Sequence, residues 1–187
     1  MDRPVAKSSG TDEHWAPDHL VLDRKVLAHA GRLLVERDDD GELVEQSPLD
    51  GMAAVEQRYP AWAMGPFGRL EPEQQIPDRP GVYALVEEGT VRYVGSARDL
   101  ARFFGTRSGL GSISRRDCQN PRNEERCRLN RLVLASARSG RTIDLYVVVA
   151  GPRRRPGWAP RPREDEALVE LAGQLASVDR GTWHLPT

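Results

Sequence analysis

The sequence predicts an α+β fold: a small, mostly antiparallel three-stranded sheet flanked by helices, with an N-terminal helical extension. Three observations carry that expectation. First, 82–86 and 90–94 alternate and are rich in β-branched and aromatic residues, with Glu87-Glu88-Gly89 between them, which is the pattern of a hairpin. Second, 142–150 is a nearly continuous apolar run, as expected of a central strand covered on both faces. Third, 164–177 carries Leu168, Leu171, Ala172 and Leu175 at helical spacing behind an acidic start.

Taken in order, residues 1–17 are polar and read as a flexible tail. Residues 18–37 read as an amphipathic helix, with Leu20, Val21, Val26, Leu27, Leu33 and Leu34 as its apolar stripe and Asp38-Asp39-Asp40-Gly41 as its stop. An Asp triplet suits a divalent cation, but a solvated helix end is the commoner use. From 42 to 74 the prolines at 48, 60, 66 and 72 interrupt any regular element, and Trp62, Met64 and Phe67 suggest an irregular, partly buried connector. The segment 18–74 is thus an acidic extension, and 75–187 is the module proper.

Pro80-Gly81 opens the hairpin. A three-residue loop ending in Gly89 sets a register in which Val86 faces Thr90, Leu85 faces Val91, and Tyr83 faces Tyr93 on one sheet face. Gly95 ends the second strand, and a helix runs from Ser96 to Phe104. The glycine-rich 105–112 that follows lacks the Lys-Ser/Thr ending of a phosphate-binding P-loop. Arg115, Arg116, Arg122, Arg126, Arg128 and Arg131 then crowd one segment, suited either to backbone phosphates or to a solvated face paired with Asp117, Glu124 and Glu125. Residues 129–137 continue as a helix that Gly140 closes. After the apolar strand, 151–163 is a Pro- and Arg-rich loop whose Trp158 could stack on a base.

Charge is uneven. Residues 1–74 hold eight Lys and Arg against fifteen Asp and Glu, whereas 75–187 hold nineteen Arg against thirteen acids. An all-arginine excess on the second part fits a polyanion partner. The two cysteines, Cys118 and Cys127, form no Cys-x-x-Cys unit, and the histidines stand apart at 14, 19, 29 and 184, so the sequence gives no zinc pattern. Nothing in the sequence has the length of a membrane span or the plan of a secretion signal, and a soluble, cytoplasmic protein is expected.

The ordered series Gly81-Val82-Tyr83, a short gap, Tyr93-Val94-Gly95 and a helix with Leu100 in its first turn resembles the GIY-YIG nuclease superfamily, named for those two tripeptides. The stretch 111–118 with Cys127-Arg128-Leu129-Asn130 resembles the insert and helix of one bacterial branch, and the resemblance extends from about residue 75 to the end. It implies a metal-dependent endonuclease acting on DNA with Mg2+ or Mn2+. Tyr83 would orient or deprotonate the attacking water, and Tyr93 would position the nucleophile or the phosphate. The family's helix arginine falls at Phe103 here, with Arg102 one residue early, about 100° away around a helix. The metal carboxylate falls on Asp165 by the spacing of the motif and on Glu164 by the buried stripe. Where the family often has Asn after Trp, this chain has His184 after Trp183, a candidate for proton transfer or metal binding. Gly95, Arg98, Phe103, Arg115, Arg116 and Asn130 are the candidate substrate-binding residues. Two other readings accompany this one. In the first the fold is recruited to chemistry on a small molecule, with Phe103-Phe104 flooring an apolar pocket; in the second it is an inactive nucleic-acid-binding module. Either a monomer or a homodimer accommodates all three, and none needs a membrane.

Overall fold

The structure, a computed structural model, describes residues 14–107, 109–150, 164–178 and 183, without the side chains of 164–168 and 177–178. In chain order the elements are β1 (His19–Leu22), β2 (Lys25–Val35), β3 (Glu45–Gln46), α1 (Val55–Arg58), β4 (Phe67–Gly68), β5 (Leu70–Pro72), β6 (Gly81–Glu87), β7 (Thr90–Ala97), α2 (Leu100–Phe104), α3 (Arg115–Cys118), α4 (Glu124–Arg138), β8 (Ile143–Val149) and α5 (Glu164–Val178). The class is α+β, but the sheet is larger than three strands. Its order is β1-β2-β8-β6-β7, all antiparallel, with β5 pairing to β2 and a separate β3-β4 ribbon.

The helix expected over 18–37 is absent; β1 and β2 form a hairpin there instead. Asp23 and Arg24 both take positive φ, 39° and 64°, at the two-residue turn. Val21 then pairs with Val26, and β2 runs on to pair with β8. An apolar spacing of seven, as from Leu20 to Leu27 to Leu34, fits a helix, and the alternation of a strand is hidden by an irregularity in β2 between His29 and Arg32. Gly31 lies inside it at φ 80°, and a Cβ there would stand 2.8 Å from Gln74 Cγ. Pairing with the central strand decides the outcome, because β8 needs hydrogen-bond partners on both sides.

Residues 14–18 lie across the sheet rather than forming a loose tail. His29 N–H donates to Asp18 O at 2.8 Å, and the Tyr146 hydroxyl donates to Pro17 O at 2.9 Å. Nε2 of His14 and of His29 both reach Oδ1 of the buried Asp144, at 3.0 and 2.9 Å.

β8 is the doubly covered strand that its apolar run predicts. One face of the sheet packs Tyr83, Leu85, Tyr93, Leu145 and Val147 against Leu100 and Phe104 of α2 and Leu129 and Val133 of α4. The other packs Val82, Ala84, Val86, Val94 and Tyr146 against Ala172 and Leu175 of α5 and against Leu22 and Leu27. A third cluster joins Leu49, Ala63 and Phe67 to Ile113, Cys118 and Cys127, so the irregular connector packs on α3 and α4. Asp99 caps α2, accepting from Arg102 N–H at 2.8 Å, and Ser114 and Asp117 form a reciprocal capping box on α3. Among the described residues no helix is long and apolar enough to cross a membrane.

Candidate functional site

The hairpin delivers the tyrosines by a different register from the expected one. The turn is two residues, Glu88 and Gly89, at φ 47° and 77°. It pairs Glu87 with Thr90 and Val86 with Val91; a bulge then admits Arg92, and Leu85 pairs with Tyr93 and Tyr83 with Gly95. Tyr83 and Tyr93 are therefore diagonal neighbours on one face, not directly opposed. Their ring centroids are 5.9 Å apart and nearly parallel, at 29°. Gly95 makes this packing feasible, since a Cβ there would stand 2.6 Å from both Tyr83 Oη and Tyr93 Cε1.

The Tyr93 hydroxyl donates to Glu125 Oε1 at 2.7 Å, and Tyr83 stacks beside it on the same face. Both phenols are held well above the ordinary tyrosine value. For Tyr83 the cause is burial first, then the neighbouring Tyr93 and Glu125; for Tyr93 it is burial first, then Glu125.

The two rings border a cavity of about 500 Å³ at the β7 edge of the sheet. Its polar wall is Glu125, Arg122, Asn123 and Arg126; its apolar wall is Phe103, Leu129 and one stripe of α5 made of Val169, Ala172, Gly173 and Ala176. The small residues of that stripe let the helix approach without filling the space. Arg126 is ion-paired to Asp117. Trp183 closes the sheet edge nearby, donating its N–H to Arg92 O at 2.9 Å and accepting from Arg128 through its own carbonyl.

Of the expected site residues, Tyr83, Tyr93, Gly95 and Phe103 come together here. Phe103 packs on Tyr83 at 5.0 Å between centroids and so occupies the direction expected of an arginine, while Arg102 is exposed and outside the cavity wall. Arg98 is likewise exposed and not among the lining residues. Arg115 donates from Nε to Pro48 O at 3.0 Å, tying the connector to α3, and neither it nor Arg116 reaches the cavity. Asn130 is structural: fully buried, it accepts from Gly68 N–H at 2.9 Å and donates to Gly68 O and Leu110 O at 2.9 and 2.8 Å. His184 lies outside the described residues, as do the side chains of Glu164 and Asp165 and the whole 151–163 loop.

From the sequence, Arg122 and Arg126 suit either phosphates or a solvated face shared with Glu125, and none of the three is assigned to this site; the Tyr93–Glu125 hydrogen bond, 32 residues apart in the chain, is what brings Glu125 to the cavity. Among the described residues no group of three or more His, Cys, Asp or Glu side chains is placed to hold a metal ion, and Glu125, the only carboxylate among the residues lining the cavity, is already engaged by Tyr93. This donor set by itself does not make a divalent-cation site. Position 165 stands one turn before Val169, on the α5 stripe that lines the cavity.

Comparison with protein-family models, with curated proteins and with solved structures gives no match.

Proposed function

We propose that the cavity binds and hydrolyses a phosphodiester of DNA. The observation that carries this reading is the pair of stacked phenols, one of them hydrogen-bonded to Glu125, opening on a cavity that Arg122 and Arg126 border. Phosphoryl transfer asks chiefly for an aligned nucleophile and for positive charge near the equatorial oxygens; this wall offers phenol hydroxyls able to position a water and arginines beside it. With their ionisation pushed up, the tyrosines stay protonated at neutral pH. They serve as hydrogen-bond donors and positioners of water or phosphate rather than as standing phenolates. Arg122 and Arg126, the latter shared with Asp117, border the cavity, whereas the exposed Arg102 is not among its lining residues.

The cation in this reading is Mg2+ or Mn2+, assigned to the acidic start of α5 at Glu164 and Asp165. When bound, it would neutralise charge on the phosphoryl oxygens. The rest of the reading concerns the chain's own residues.

The test is incubation of the purified chain with supercoiled plasmid and Mg2+ or Mn2+. Nicking or linearisation that falls by about 10²-fold or more in Tyr83→Phe is expected. Undiminished cutting by Tyr83→Phe, or no cutting by the wild type, overturns the reading. Absence of cutting together with duplex binding that falls steeply with salt would instead indicate an inactive binding module.

A second reading rests on Phe103. An aromatic ring stacked on Tyr83 where a cation would serve phosphate better also suits a small, partly apolar molecule in the same cavity. Thermal-shift screening of nucleotides and aromatic metabolites separates the two: a small ligand whose stabilising effect Phe103→Ala removes, with no plasmid cleavage, selects this one.

A further inference from the structure

We infer that Asp117 is a positioning residue for the polar wall of the cavity: its carboxylate fixes Asn123 and holds the Arg126 guanidinium in place for the phosphate. The inference rests on the phosphodiester reading above and adds a residue that does not itself line the cavity.

The carboxylate is held at one oxygen and holds with the other. Oδ2 accepts from the Ser114 N–H at 2.9 Å and from the Ser114 hydroxyl at 2.6 Å. Those bonds belong to the capping box of α3, so the side chain is fixed by its own helix. Oδ1 accepts from Asn123 Nδ2 at 3.2 Å and from a guanidinium nitrogen of Arg126. Asn123 and Arg126 stand at the start of α4 with the spacing that puts two side chains on one helix face, and both line the cavity. Glu125, on the same turn, is bonded to the Tyr93 hydroxyl. The start of α4 is thus tied both to α3 and to the second phenol.

Two hydrogen bonds are forgone for this arrangement. Asparagine is among the favoured N-caps, and Asn123 is the N-cap residue of α4, yet its side chain makes no capping bond and goes to Asp117 instead. Arg126 keeps its Nε shut off from solvent with no hydrogen-bond partner among the described residues. Unmet buried donors are uncommon in folded proteins and call for a reason other than stability. That reason is geometry at the cavity. An arginine on a flexible stem must be ordered before it can serve a phosphate, and Asp117 orders this one in advance. A fixed guanidinium needs no reorganisation as charge develops on the phosphoryl oxygens. The carboxylate also offsets part of the charge of Arg126, which weakens its pull on a phosphate backbone in the ground state. Asp117 therefore raises rate while lowering affinity, and a residue that merely supported the fold would not separate the two.

Asp117→Ala, Arg126→Ala and the double variant are compared with wild type in single-turnover nicking of supercoiled plasmid with Mg2+ or Mn2+, and in binding of a labelled duplex in EDTA. Asp117→Ala should nick about 10²-fold more slowly yet bind the duplex at least as tightly as wild type. Arg126→Ala should be both slower and weaker in binding, and the double variant should nick no more than about threefold more slowly than Arg126→Ala alone. Asp117→Asn, which keeps the shape but turns an amide N–H2 toward one set of donors, takes the place of Asp117→Ala if that variant does not fold, with the same outcomes. An Asp117→Ala rate within about threefold of wild type, losses that multiply in the double variant, or a duplex affinity that falls along with the rate overturns the positioning role while leaving hydrolysis intact. A wild type that nicks nothing overturns hydrolysis instead, and the clamp is then judged on the protein alone. In nitrogen–proton NMR spectra the Arg126 Nε–H should exchange slowly and stand apart from the exposed arginines. Its collapse onto them in Asp117→Ala supports the clamp, and a wild-type signal already averaged with them refutes it.

Discussion

Gly95→Ala is the sharpest test of how the site is assembled. The added Cβ would stand 2.6 Å from Tyr83 Oη, 2.7 Å from Tyr83 Cζ and 2.6 Å from Tyr93 Cε1. Ordinary carbon contacts lie at about 3.5–4.0 Å, so both rings must shift by roughly 1 Å. Neither has room. Tyr83 already touches Phe103 and Phe104, each at 5.0 Å between centroids, and both tyrosines are buried. Overpacking of this kind costs about 1–3 kcal/mol. Because two buried rings must move together, the cost falls in the upper part of that range, about 2–3 kcal/mol; replacing a strand glycine returns about 1 kcal/mol, which leaves a net loss of about 1–2 kcal/mol. At about 2–4 °C per kcal/mol for a chain of this size, the melting temperature should fall by about 2–8 °C. The Tyr93–Glu125 hydrogen bond is displaced as well, and a misplacement near 1 Å costs about 10²-fold in rate. Calorimetry and the plasmid assay read the two effects. Gly173→Ala is the companion, since a Cβ on that α5 glycine meets nothing within 4 Å. It should stabilise the helix by up to about 1 kcal/mol. A Gly95→Ala protein that melts no lower than wild type would refute the steric account.

Three further outcomes follow from contacts away from the cavity. Asn130→Ala strands the Gly68 N–H and two buried carbonyls; at about 1–3 kcal/mol for each orphaned group, urea denaturation should show a loss of about 3 kcal/mol or more, and a loss under 1 kcal/mol contradicts the structural role. Asp144→Ala removes the common acceptor of His14 and His29 and should release residues 14–18, read as faster amide exchange and proteolysis there; unchanged protection disproves the strap. Burial pushes the Glu87 carboxyl up, but the hydrogen bonds from Ser136 and Arg92 and the charges of Arg141 and Arg92 together hold it below the ordinary value. A lowered carboxyl gives stability that is complete above the unfolded value and lost as pH falls through the folded one. Wild type should therefore lose more stability than Glu87→Gln between pH 7 and pH 3, and equal losses would reject the coupling.

What the sequence disclosed and what it concealed have separate physical causes. The tyrosine pair, the central strand and the last helix were legible because each rests on a local pattern: alternation beside a turn, an unbroken apolar run, a stripe at helical spacing. The β1–β2 hairpin was not. Asp23 and Arg24 are poor markers of a turn with two positive φ angles, and the irregularity at Gly31 breaks the alternation that would have marked β2 as a strand. Asn130 was misread because its triple hydrogen bond joins positions 62 and 20 residues away. Glu125 was missed for the same kind of reason, since its partner Tyr93 is 32 residues distant on another element. The packing of Phe103 on Tyr83, by contrast, follows from the helical register of α2 beside the hairpin.

The bulge in the hairpin links these observations. With a two-residue turn and a regular ladder, Glu87 opposite Thr90 would carry through to Ala84 opposite Tyr93, placing Tyr93 on the α5 face of the sheet and away from Tyr83. Inserting Arg92 moves the register by one residue and returns Tyr93 to the face that α2 and α4 cover. The inserted side chain is held in turn, because Arg92 donates from Nε to the buried Glu87 at 2.8 Å, and Glu87 also meets Arg141 beyond α4. The position of the second phenol therefore depends on an ion pair at the turn end of the hairpin. A three-residue loop without a bulge would also have put both tyrosines on one face, but directly opposed. The diagonal arrangement gives Tyr83 a glycine as its cross-strand neighbour, and that is what leaves its hydroxyl open toward Tyr93 and the cavity.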